Sequence, residues 1–160
     1  MKTQIRNAHT GDLGQLSDYM VWGQGLHIEA YPDLFAPVDR DAVRSFLLEY
    51  LDSKTSYIRV AERQSTIVGF SFVEIYEQSG TLLKLPRRFA YLEFLAVDPH
   101  HQRSGIGSAL LTDAREIAKS RGIHRIELDV IGFNEGARQF YSSQGFSELG
   151  YRMYSDESVA

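Results

Sequence analysis

A chain of 160 residues, 43% hydrophobic and 24% charged with a net charge of -4, has the size and composition of one globular domain, 1–160, with a core of its own. No apolar run approaches the roughly 20 residues of a membrane span, the start Met1-Lys2-Thr3-Gln4-Ile5-Arg6 lacks a secretory signal core, and the lack of cysteine removes disulfides, thiol nucleophiles and thiolate metal sites. The acidic balance disfavours a nucleic-acid partner, which needs a basic surface, so a cytoplasmic protein with neither membrane nor nucleic acid as partner is expected.

Residues 4–8 read as a short strand. Thr10-Gly11-Asp12 then starts a helix, with Leu13, Leu16, Met20 and Val21 at helical spacing. The stretch 23–37, "GQGLHIEAYPDLFAP", carries glycines and prolines and predicts a structured loop or a broken helix. A second helix is expected over 39–52, with Val43, Phe46, Leu47 and Leu51 on one face. Residues 57–62 and 66–76 are β-branched and aromatic around a polar "RQS" turn, which predicts an antiparallel hairpin. After a charged loop over 77–88, the nearly all-apolar "AYLEFLAV", 90–97, predicts a central strand buried on both faces.

From Ile106 a helical stripe runs through Ala109, Leu110, Ala114, Ile117 and Ala118, and Gly122 ends it. "RIELDV", 125–130, predicts a further strand. Asn134 can cap a short helix that Gly145 terminates, and residues 146–153 predict a closing strand. The order is β-α-α-β-β-β-α-β-α-β, an α/β chain with a mixed sheet.

The stretch "HHQRSGIGSAL" places Gly105 and Gly107 where a strand hands over to a helix. A helix start leaves backbone N–H groups unpaired, and glycine lets an anion approach the main chain closely, so the turn suits a phosphate; a plain turn is the alternative. No Gly-Lys-Ser/Thr follows and the spacing is not G-x-G-x-x-G, which removes the common nucleotide loops. His100 and His101 are neighbours without metal-ligand spacing and read as a solvated turn, so no metal is expected. Arg87 and Arg88 either reach phosphates or sit in solvent.

The run Gln102-Arg103-Ser104-Gly105-Ile106-Gly107 resembles the Gln/Arg-x-x-Gly-x-Gly/Ala signature of the GCN5-related N-acetyltransferase (GNAT) superfamily. The strand "LEFLAVDPHHQ" before it, the long helix after it and "NEGARQFYSSQGF", 134–146, are similar to successive parts of the same family. The resemblance implies a GNAT fold with a bulged central strand splayed from its neighbour, and acetyl-CoA as acetyl donor. It implies that the main chain of Arg103, Ser104, Gly105, Ile106, Gly107 and Ser108 holds the pyrophosphate. Leu95, Ala96 and Val97 would pair with the pantetheine arm, with Asn134 and Tyr141 beside it. Tyr141, otherwise a plausible core residue, takes the family's general-acid position.

Transfer to an amine also needs a base, because a lysine-like ammonium has a pKa near roughly 10.4. Glu93 interrupts an apolar strand, where desolvation should raise its pKa toward that of a useful base; an ion pair with a nearby arginine is the alternative. His27 reads as a secondary base or a structural histidine. Glu29, Tyr31 and Phe35 read as walls of the acceptor pocket or as loop packing. The resulting expectation is an acetyl-CoA-dependent N-acetyltransferase acting on a primary amine of a small molecule or protein, with a homodimer implied by relatives. Acidic residues such as Glu74 and Glu77 favour a cationic acceptor. A non-catalytic acyl-CoA sensor on the same fold is the competing expectation.

Overall fold

A computed structural model describes residues 3–156, which fall into two compact units divided between Asp129 and Val130. The first unit holds a five-stranded sheet in the order β1-β2-β3-β4-β5, made of β1 (Gln4–Asn7), β2 (Ser56–Arg63), β3 (Thr66–Gln78), β4 (Arg87–Val97) and β5 (Ile126–Glu127). The first four strands pair antiparallel and β5 joins β4 in parallel, giving the mixed α/β architecture expected. The hairpin turn between β2 and β3 has positive φ at both Gln64 and Ser65, the geometry that matches the twist of two adjoining strands.

Helices α1 (Leu13–Ala30) and α2 (Arg40–Tyr50) supply one core layer. Leu13, Leu16, Tyr19, Val43 and Leu47 bury against Ile58, Val60, Phe70 and Phe72. α3 (Ile106–Ser120) packs Ile106 and Leu110 against Ala61 and Val68, and Arg59 of β2 clamps Asp113 of α3 through a two-pronged ion pair at 2.8 and 2.9 Å. On β3, Phe70 and Phe72 share the first layer, as residues two apart should, whereas Val68 turns to the second because the β2–β3 register shifts there: Ala61 pairs with Gly69 and Glu62 with Ile67, leaving Val68 as a bulge.

Three expectations need correction. α1 does not break at Gly23 but continues to Ala30; a Cβ on Gly23 would lie 3.0 Å from Phe94 Cζ, so that glycine lets the helix approach β4. β4 is not the middle strand and is not buried throughout, since it lies next to the short edge strand β5 and Glu93 is exposed. The strand expected over 125–130 shrinks to β5, and residues 146–153 form no strand.

The second unit contains α4 (Glu135–Ser143). Asn134 Oδ1 accepts from Ala137 N at 3.0 Å to cap its start. Gly145, with φ +85°, lets Phe146 N reach back to the Tyr141 carbonyl at 3.0 Å and end it. Among the described residues no helix is long and apolar enough to cross a membrane.

Candidate functional site

The register of the sheet creates the feature on which the site depends. Phe72 pairs with Phe94 and Val73 with Leu92, so Glu93 is an extra residue on β4, a bulge with no opposite number on β3. On its other edge β4 meets β5 only at Ala90 and Tyr91. Beyond Tyr91 that edge has no strand partner among the described residues, while Leu95, Ala96 and Val97 keep their ladder to Ser71, Phe70 and Gly69 on the other side. A bulge increases the local twist of a strand, and the β4–β5 pairing ends at Tyr91, two residues before Glu93.

The end of β4 runs directly into the glycine turn. Asp98 accepts from His100 N at 2.9 Å, and its other close partner is His101 Nδ1 at 3.1 Å, which organises the short turn Pro99–His101. Those contacts hold the Asp98 carboxyl below its usual value against the opposing effect of desolvation. Arg103 then takes φ +57°, and Gly105 caps α3 in the left-handed conformation at φ +82°. No side chain caps that helix, and a Cβ on Gly105 would meet nothing within 4 Å. An α3 start of this kind presents N–H groups of Ile106, Gly107 and Ser108 to an anion, with the helix dipole adding to the attraction. Arg63 Nη2 also reaches the Ser104 carbonyl at 3.2 Å, tying the turn to the β2–β3 hairpin.

Gly69, which sequence reasoning passed over, lies under this junction. A Cβ there would fall 2.7 Å from the Ala96 carbonyl oxygen and 3.3 Å from both Val97 Cα and Ile106 Cγ2. Only a glycine allows β3, the end of β4 and the start of α3 to meet so closely, and a glycine inside an apolar strand was the available signal.

Glu93 has no arginine partner of the kind weighed from the sequence. It accepts a hydrogen bond from the Tyr76 phenol at 2.7 Å, and the same phenol lies 3.1 Å from Glu74 Oε2. Partial desolvation raises the Glu93 carboxyl, the Tyr76 bond opposes that, and the Glu74 and Asp129 carboxylates add to the rise. Burial, with the neighbouring Asp129 carboxylate adding to it, keeps the Tyr91 phenol protonated well above the ordinary range. Tyr76 and Tyr91 were not singled out by sequence because each matters through a partner that register alone supplies.

His27 and Phe35 are brought together, their rings stacked at 5.0 Å between centroids, with burial lowering the pKa of the imidazole. Tyr31 forms the turn that joins them, its N–H bonding the His27 carbonyl and its own carbonyl accepting from Leu34 N and Phe35 N. Glu29 is exposed. Arg87 and Arg88 make protein contacts at the start of β4: Arg87 pairs with Glu127 and covers the Phe89 ring, and Arg88 pairs with Glu77 at 2.9 Å. Among the described residues no three acidic or histidine side chains gather as a metal site. A shallow cleft lined by Gln15, Asp18, Tyr19, Trp22, Asp98 and Pro99 holds none of the expected site residues.

In the second unit Tyr141 packs edge-on to Phe140 and Phe146, at 5.1 and 5.6 Å. Burial pushes its phenol up to about 12.

The sequence profile described as "Acetyltransferase (GNAT) family" matches residues 23–146, which takes in parts of both units. The Bacillus subtilis protein "Uncharacterized N-acetyltransferase YhfO" is 28% identical over 69% of this chain and 71% of its own length. Two further curated acetyltransferases are matched over only 27% and 38% of theirs. Among solved structures, the F44R variant of BH1408 from Bacillus halodurans superposes with a TM-score of 0.90 at 22% identity, covering 96% of this chain and 99% of that one. A Clostridium acetobutylicum protein described as an acetyltransferase, crystallised with acetyl-CoA, superposes with a TM-score of 0.72 at 18% identity, covering 97% and 96%. Such identities show a shared fold.

Proposed function

The chain belongs to the acetyltransferase (GNAT) family, and from that premise we propose that it moves an acetyl group directly from the acetyl-CoA thioester to a primary amine. One observation carries the reading: the free edge of β4 beyond Tyr91 leads into an α3 start capped by a left-handed glycine and by no side chain. An exposed strand edge accepts an extended amide-bearing chain, and a bare helix start accepts a phosphate. The pantetheine arm and the pyrophosphate of CoA have those two chemistries, in that order along the molecule.

Acetyl-CoA supplies an activated acyl group when bound. On the protein side, the main chain of Leu95, Ala96 and Val97 would hold the arm, and N–H groups from Arg103 to Ser108 would hold the diphosphate. The disrupted ladder at Glu93 frees backbone donors able to polarise a carbonyl oxygen. Glu93 takes the proton of the incoming ammonium, directly or through water, and its raised basicity suits that task. Tyr141 stays protonated at neutral pH and donates toward the sulfur as the C–S bond breaks. A thiol titrates near about 8.5, well below this phenol, so the hydrogen bond supports the leaving thiolate without full surrender of the proton. Asn134 contributes by capping the helix that carries Tyr141. His27, Tyr31 and Phe35 are assigned to the acceptor pocket.

The test is incubation with acetyl-CoA and a panel of amines, peptides and aminoglycosides, following free thiol release and product mass. Acceptor-dependent thiol release with a matching acetylated product supports the reading. No turnover across the panel, together with tight acetyl-CoA binding, would favour a sensor instead.

A further inference from the structure

We propose that Tyr76 is a positioning residue for Glu93, holding that carboxylate at the β4 bulge, and that Glu74 is a second carboxylate sharing the same phenol. This rests on the reading of Glu93 as the general base.

A bulge residue lacks the cross-strand neighbour that ordinarily confines a side chain, and Glu93 is exposed on an edge without a partner strand. Something else must aim it. Glu74 and Tyr76 are two apart on β3 and so share a face. The Tyr76 ring is fixed by packing, near-parallel to Phe89 at 5.7 Å and edge-on to Tyr91 at 5.9 Å, so its hydroxyl is placed by the sheet. Glu74 is anchored at its other oxygen by Ser56 Oγ at 3.0 Å, across the β2–β3 ladder. A chain of contacts thus runs Ser56, Glu74, Tyr76, Glu93 over three strands.

The phenol has one proton and two carboxylates within reach. At 2.7 Å against 3.1 Å the stronger bond goes to Glu93. The two partners act on Glu93 with opposite sign: the Tyr76 bond favours its charged form, and the Glu74 carboxylate disfavours it. The groups facing Glu93 are Glu74 and Tyr76 from β3, Tyr91 from β4, and Asp129 following β5, which also disfavours the charged form. Among the described residues no lysine or arginine acts on its carboxylate. Proton affinity at the bulge is therefore set by a phenol and flanking carboxylates, and removing one partner at a time separates them.

The experiment titrates the Glu93 side-chain carboxyl by carbon NMR in protein labelled at glutamate, with the resonance assigned by its loss in Glu93→Gln. Tyr76→Phe keeps the stacked ring and removes only the donor, and should move the titration of Glu93 upward by about half a pH unit or more. Glu74→Gln should move it downward by a comparable amount. In an amine acetylation assay, the acidic limb of kcat/KM should follow the same two directions and vanish in Glu93→Gln. An unmoved Glu93 titration in both variants, or movement in one common direction, overturns the positioning assignment while leaving the base reading intact. An acidic limb retained in Glu93→Gln overturns the base reading, and the positioning role falls with it.

Discussion

The same chemical change, glycine to alanine, should have opposite effects at two positions of this chain. At Gly69 the new Cβ would lie 2.7 Å from the Ala96 carbonyl oxygen. A carbon normally stays about 3.3 Å from such an oxygen, so roughly 0.6 Å must be found by moving β3 away from β4. The obstructing atom is backbone in a paired strand, with Val97 Cα and Ile106 Cγ2 close behind it at 3.3 Å, so no flexible side chain can yield. Overpacking of this kind costs about 1–3 kcal/mol, and at about 2–4 °C per kcal/mol for a chain of this size the melting temperature should fall by about 2–12 °C. Gly25 lies in α1, is exposed, and would give its Cβ no neighbour within 4 Å. Alanine there should stabilise by about 0.5–1 kcal/mol through the unfolded chain and helix propensity, a rise of about 1–4 °C. Thermal unfolding by circular dichroism in one buffer reads both. Equal melting of Gly69→Ala and the parent, or shifts of one sign for the two variants, would refute the steric reasoning.

Asp12 is 6% exposed and takes two hydrogen bonds from Arg6, at 2.7 and 3.0 Å, and one from His9 N. Desolvation opposes its ionisation, but those bonds leave its carboxyl below the ordinary value. Its stabilisation should therefore be complete above about pH 4, the unfolded value, and be lost as pH falls through the folded one. Asp12→Asn should cost about 3 kcal/mol at pH 7, with the gap to the parent narrowing in denaturant melts below pH 4. Tyr141→Phe should lower kcat by about 10- to 1000-fold with little change in acetyl-CoA affinity; steady-state kinetics with calorimetry would expose an error if turnover were equal. Gly107→Val should instead weaken acetyl-CoA binding by about tenfold or more through crowding of the diphosphate, and unchanged affinity by calorimetry would contradict that cradle.

How far the sequence reaches is visible in particular residues. The glycine turn before α3, the Asn134 cap, the "RQS" hairpin and the amphipathic stripe from Ile106 are local features, each decided within a few positions by dihedral preference and hydrophobic period, and each was legible before any fold was known. α1 was misjudged at Gly23 because a local helix breaker can be outweighed by close packing, here against Phe94. The closing strand expected over 146–153 does not form, because a strand exists only with a partner ladder, which local sequence does not supply.

By itself, the sequence determined that a strand, a glycine turn and a long helix follow one another, with Glu93 within the strand and Tyr141 beyond the helix. Tertiary structure decided the rest. Pairing register made Glu93 a bulge, ended the β4–β5 ladder after two residue pairs and brought Tyr76 and Glu74 to its carboxylate. Those partners lie 17 and 19 residues away along the chain, beyond the reach of helical or strand periodicity. A one-residue change of register sends a side chain to the opposite face, so their meeting is a property of the assembled sheet.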